Sequence, residues 1–154
     1  MRAARAGERA AERCPAPVPG RPVRAGRMSA MTSRSCPCGL PEPYESCCGR
    51  YHRGAAAAPT AEALMRSRYC AFVRGQAEYL LRTWHPRTRP ARLDLDPTVR
   101  WTGLEVVETT GGSAFHTTGT VTFRASHRGG VLHERSRFER VDGAWVYVDG
   151  DFLP

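Results

Sequence analysis

The sequence predicts an α+β fold: a small cysteine-rich N-terminal knuckle, then two or more helices packed on an antiparallel sheet. Three observations carry this. Four cysteines crowd into residues 36 to 48, apolar residues recur at helical spacing from Ala61 to Phe72, and four strand-like runs after residue 98 are joined by Gly-Gly or Asp-Gly turns. A length of 154 residues suits one domain with a core of useful size.

Residues 1–35 hold eight arginines against two acidic residues, whereas the remaining 119 residues hold 15 arginines against 13 acidic ones. Most of the formal charge of +8 therefore lies on the tail. Every basic residue is arginine, a pattern that looks like coding bias and weakens any reading of each one as a phosphate ligand. The tail has no aromatic residue, and Pro15, Pro17, Pro19 and Pro22 break helices, so disorder is expected there. Translation from Met28 or Met31 instead of Met1 would remove most of it. Glu8 and Glu12 oppose a targeting peptide. No run approaches the ~18 to 20 apolar residues of a membrane span or the ~7 to 15 of a signal core, so a cytoplasmic protein without membrane contact is expected.

The cysteines read Cys36-Pro37-Cys38, eight residues, Cys47-Cys48. Clustered thiols without a secretory signal favour thiolate ligation of a metal over disulfides, and structural Zn2+ is the expected ion. Pro37 stiffens the loop and Gly39 lets it turn back around an ion. Cys36, Cys38 and Cys47 are three expected ligands. The fourth is Cys48 or, as the alternative, His52. Cys14 falls in the tail, and Cys70 reads as a small buried hydrophobe within a helix.

Thr60 is placed to cap a helix with Glu62 in its first turn, and Gly75 interrupts the apolar spacing. A second helix is expected over about Gln76 to Trp84, ahead of Pro86. Strands are expected over Val99 to Thr109, Phe115 to Ser126, Val131 to Val141 and Trp145 to Asp149, turning at Gly111-Gly112, Gly129-Gly130 and Asp142-Gly143. Alternation puts Val121, Phe123 and Ala125 on the helix-facing side. On the next strand it places Leu132, Glu134, Ser136 and Phe138 together. An inward Glu134 is either a general base in an apolar pocket or, the expectation carried forward, the partner of Arg66 or Arg68 in an interior ion pair. His85 is expected to meet the last carbonyls of its helix, with catalytic base or zinc neighbour as alternatives. Trp101, Trp145 and Tyr147 are expected in the core or a pocket wall, and His116, His127 and His133 receive no role.

The Cys36-Pro37-Cys38-Gly39…Cys47-Cys48 pattern resembles the SEC-C zinc motif. Downstream, Leu64-Met65-Arg66-Ser67-Arg68-Tyr69, Thr83-Trp84-His85-Pro86, Glu134-Arg135-Ser136-Arg137-Phe138 and Trp145-Val146-Tyr147-Val148-Asp149-Gly150 are similar to the YchJ family of bacterial proteins, over residues 36–151. That resemblance implies an SEC-C knuckle at 36–52 joined to a cone-shaped α+β domain at 58–151, of the nuclear-transport-factor and ketosteroid-isomerase superfamily. It also marks Arg66, Arg68, Tyr69, Trp84, His85, Glu134, Arg135, Arg137, Trp145 and Tyr147 as residues of a pocket or structural motif. Residues 39–46 carry none of the lysines that many such knuckles place between their cysteine pairs.

Three function classes follow: a zinc-binding protein whose cone takes a protein partner or small molecule, an isomerase- or hydrolase-like enzyme using Glu134 in the cone, and a nucleic-acid or ribosome-associated module. The first is favoured, because four thiolates leave no open position on zinc and no phosphate loop or dinucleotide fingerprint is present. A chain starting at Met31 should therefore lose most non-specific nucleic-acid affinity in a low-salt anisotropy titration. Equal affinity of both forms would place a nucleic-acid surface on the folded part.

Overall fold

The computed structural model describes residues 35–154, and the basic tail lies outside them apart from Ser35. A 3-10 turn at Tyr44–Ser46 and helix α1 (Cys48–His52) precede α2 (Ala61–Arg74) and α3 (Ala77–Arg82). Strands β1 (Trp101–Gly111), β2 (Thr118–His127), β3 (Gly130–Val141) and β4 (Ala144–Phe152) then form one sheet in the order β1-β2-β3-β4, antiparallel throughout. The expected meander and the helices packed against it are both present.

Helix α2 begins where a side-chain acceptor is available. Thr60 Oγ1 accepts from the Ala63 N–H at 3.0 Å, and Glu62 sits in the positive first turn. It ends at Gly75, whose left-handed backbone (φ 71°) closes the last turn. Ala61, Leu64, Met65, Arg68 and Tyr69 are buried along it. Full burial of a side chain such as Leu64 contributes about 2 kcal/mol.

Helix α3 stops at Arg82, short of the expected Trp84, because the next backbone groups bond to the sheet. Tyr147 N donates to Thr83 O at 2.8 Å and His85 N donates to Tyr147 O at 2.7 Å, so the segment runs parallel to β4 at Trp84. Strand β2 starts at Thr118 rather than Phe115. A hydrogen bond of 2.6 Å between Ser113 Oγ and His116 Nδ1 closes the preceding loop, and Phe115 projects from it at 97% exposure.

Alternation holds on β2 and β3. Val121, Phe123 and Ala125 are buried against the helices, as is Phe138. The knuckle joins the same core: Cys36, Cys38, Cys47 and Cys48 cluster with Leu64, Met65, Cys70 and Tyr69. The core is therefore not drawn from residues after Pro59 alone. Residues 36–52 are too few to enclose sulfur by themselves, so they use the back of α2.

The start of α2 is docked on the β1–β2 hairpin, where Ala61 N donates to Gly112 O at 2.9 Å. Gly119 faces that hairpin so closely that an added Cβ would lie 2.5 Å from Gly112 Cα and 2.6 Å from its nitrogen. Gly119→Ala should cost about 1 to 3 kcal/mol through backbone overpacking. Urea unfolding measures this, and an unchanged midpoint would mean that the hairpin opens without loss.

Candidate functional site

Two sites flank α2. On one side the knuckle folds Cys36 and Cys38 into a tight turn, in which Gly39 N donates to Cys36 O at 3.1 Å while Cys36 N donates to Glu42 O at 2.7 Å. Gly39 takes a φ of 94°, which side chains disfavour, so its sequence-level reading as a turn residue holds. Arg66 Nη1 on α2 donates to Cys38 O at 2.7 Å and ties the loop to the helix.

The sulfurs of Cys36, Cys38, Cys48 and Cys70 all lie within 4.8 Å of one another, and all four residues are buried. Tetrahedral zinc with Zn–S bonds near 2.3 Å would set its sulfurs about 3.8 Å apart, so this donor set fits a thiophilic ion. Cys36 and Cys70 sulfurs are 3.5 Å apart. Cys47, an expected ligand, lies 3.7 Å from Cys38 and also interacts with Cys36, but stands outside the mutually close four. Cys70 joins them instead. It lies one helical turn after Arg66, on the flank of α2 that faces the knuckle, and nothing in local spacing connects it to cysteines more than 20 residues earlier in the chain.

Crowding decides protonation here. Neighbouring thiols, Cys38 first, donate to Cys36 and pull its pKa down, while Cys48 and Cys70 are pushed up, chiefly through their hydrogen bonds with Cys36. All four become thiolates together only with a cation among them.

His52, the alternative ligand, has both ring nitrogens engaged. Nε2 lies 2.7 Å from the Ser67 carbonyl, so it is the nitrogen carrying hydrogen, and Nδ1 accepts from the Tyr44 hydroxyl at 2.6 Å. Burial pulls its pKa below the usual histidine value. The ring braces α1 against α2 and is turned away from ligation.

On the other side of α2, a cavity of about 210 Å³ opens between the helix and the sheet. Met65, Tyr69, Trp101, Phe123 and Phe138 form apolar wall, and partly exposed Phe72 and Leu132 mark its rim. Arg68 and Glu134 bring opposite charges to the same cavity. The expected ion pair between them is not made. Arg68, 5% exposed, donates from Nη1 to Leu80 O at 2.7 Å and to Thr83 Oγ1 at 2.8 Å, with its guanidinium over the rings of Tyr147 (4.6 Å) and Trp84 (5.1 Å). Burial draws its pKa down to about 10, so it remains a cation at neutral pH. Arg66 pairs with Glu62 at 3.3 Å rather than with Glu134.

Glu134 Oε1 instead accepts from Ser136 Oγ at 3.0 Å and from the Tyr147 hydroxyl at 3.2 Å. Tyr147 thus stands between the two charges, held edge-on by Trp84 and Phe138. Burial raises the Tyr147 pKa, and the nearby Glu134 charge raises it further. The carboxylate crosses β4 at Gly150, where a Cβ would come to 2.0 Å from Oε1. A register shift opposite Arg137 and Phe138 inserts an extra residue into β4, which lets both Tyr147 and Gly150 face the cavity.

Tyr69 is buried edge-on to Trp101. Trp145 is buried and donates from Nε1 to Pro59 O at 3.2 Å. His85 points to Glu139 rather than to its own helix end, with Nε2 3.4 Å from Oε2, while Nδ1 accepts from Arg87 N. Arg135 and Arg137 project from the opposite face of the sheet, where Arg137 pairs with Asp149 and Asp151. Trp84 also lines the cavity, and its Nε1 is buried without an acceptor among the described residues, against the Tyr147 ring.

A family model for the middle, NTF2-like domain of YchJ matches residues 60–150. A UPF0225 protein of Streptomyces coelicolor is 80% identical over 123 residues, covering 80% of this chain and 99% of that protein. One from Corynebacterium efficiens is 55% identical over 119 residues, covering 75% and 92%. Among solved structures, a SEC-C motif containing protein from Rhodopseudomonas palustris superimposes with a TM-score of 0.69 at 31% identity, over 79% of this chain and 100% of that one. Another, from Psychrobacter arcticus, gives 0.64 at 28% identity, over 81% and 86%.

The sulfur geometry separates two ligand sets. Cys70→Ser should release the bound metal, and Cys47→Ser should retain it, when each purified protein is assayed by elemental analysis after dialysis against a mild chelator. The reverse pattern would return the site to the four cysteines of the knuckle alone.

Proposed function

The chain belongs to the YchJ family, and on that premise we propose that it is a small-molecule-binding protein whose cone is held in shape by a structural zinc ion. The observation that carries this reading is the open cavity beside α2. Side chains leave about 210 Å³ unfilled there, with two charged groups set into an aromatic wall, an arrangement suited to an enclosed ligand rather than a flat protein face. An engineered apolar cavity of about 150 Å³ takes benzene, so there is room for one ring with a short polar substituent.

Zinc is favoured over redox-active ions by a buried set of four sulfurs with no open position, and its role is to join knuckle and helix. Five described cysteines are free thiols, which suits a reducing compartment such as the cytoplasm. Glu134 supports a second reading, an enzyme that moves a proton in the cone, since its Oε1 is already oriented by two hydroxyls.

X-ray absorption on the purified protein should show one zinc per chain in sulfur coordination. Titrating that protein with one-ring probes such as toluene and benzyl alcohol should shift the indole N–H resonances of Trp84 and Trp101 saturably and leave Trp145 in place. Leu132→Trp at the rim should block the shifts. No saturable shift from any one-ring probe would overturn the small-molecule reading.

A further inference from the structure

Resting on the reading of the cone as a small-molecule site, we propose that its ligand is a zwitterion carrying one apolar ring, an aromatic amino acid in chemical class. Its carboxylate would meet Arg68 and its ammonium would meet Glu134.

The argument begins with unmatched charge. Arg68 is 5% exposed, yet among the described residues no carboxylate lies within 4.0 Å of its guanidinium. Both of its hydrogen bonds leave from Nη1, so Nη2 and Nε have donors to spare, and Arg68 lines the cavity. Glu134 is the mirror case: Oε1 takes both hydroxyls and Oε2 has no partner among the described residues. A buried charge such as Arg68 is costly unless paired, and the phenol of Tyr147 stands between it and the half-buried Glu134.

That phenol sets the gap. Arg68 lies over its face, 4.6 Å from the ring centre, and Glu134 binds its hydroxyl at 3.2 Å, so the charges stand about one ring apart. A carboxylate and an ammonium carried on a single carbon reach across such a gap, with a charge-assisted hydrogen bond of about 2.8 Å at either end. A simple anion would satisfy Arg68 and leave Glu134 facing it; a simple cation would do the opposite. The zwitterion matches both and leaves the cavity with no net change in charge. Met65, Phe72, Trp101, Phe123 and Leu132 then receive the ring.

The test compares four probes of one ring each on the metal-bound protein: phenylalanine, 3-phenylpropionate, phenethylamine and toluene, followed by the Trp84 and Trp101 indole resonances and by calorimetry. Phenylalanine should bind at least tenfold more tightly than the carboxylate-only and amine-only probes, the scale of a charge-assisted hydrogen bond. Glu134→Gln keeps the size and the hydroxyl contacts, and should erase the advantage of phenylalanine over 3-phenylpropionate. Because Arg68 also anchors α3, that variant and not an arginine change is the primary one. If either singly charged probe binds as tightly as phenylalanine, or if Glu134→Gln keeps the preference, the proposal is overturned. Binding of toluene alone would overturn it too while leaving the cone a small-molecule site, and no binding by any probe would remove both readings.

Discussion

Four sulfurs held within 4.8 Å of one another cannot all lose their protons unless a cation joins them, and this cluster ties the knuckle to α2. Three of the sulfurs come from a knuckle too short to own a core, and the fourth comes from α2. With an ion among them, the knuckle and α2 become one body. Arg66, reaching back to the Cys38 carbonyl, reinforces the same junction from one turn earlier.

The far side of α2 inherits this placement. Arg68 is two residues before Cys70, so the register that brings Cys70 to the sulfurs also sets the guanidinium against Trp84 and Tyr147. Tyr147 in turn owes its inward direction to the extra residue in β4, and its backbone is clamped on the outer edge by Thr83 and His85. The result is a polar strip of Arg68, Tyr147, Ser136 and Glu134 set into an otherwise apolar cavity. The sulfur cluster and the cavity therefore share a single helix.

Local signals in the chain were followed closely by the fold. Thr60 caps, Gly75 stops, and the period-two pattern of Val121 to Ala125 and Leu132 to Phe138 sorts inner from outer faces correctly. Each of these rests on interactions within a few residues. Where backbone groups found partners farther away, the local reading failed: Trp84 left its helix pattern for a bridge to Tyr147, and Phe115 fell outside its strand once Ser113 and His116 closed a loop.

The sequence by itself determined the α+β class, the cysteine-rich knuckle, the helix boundaries set by caps and the inward side of each central strand, because hydrophobic alternation and capping act over short spans. Only tertiary structure decided that Cys70 rather than Cys47 completes the close set of sulfurs, and that Arg68 and Glu134 face one cavity without touching. Both outcomes depend on contacts between residues 22 or more positions apart and on a one-residue shift in β4 that reverses which side chains point inward. Spacing along a chain carries no record of such meetings, since packing sets them after the local elements have formed.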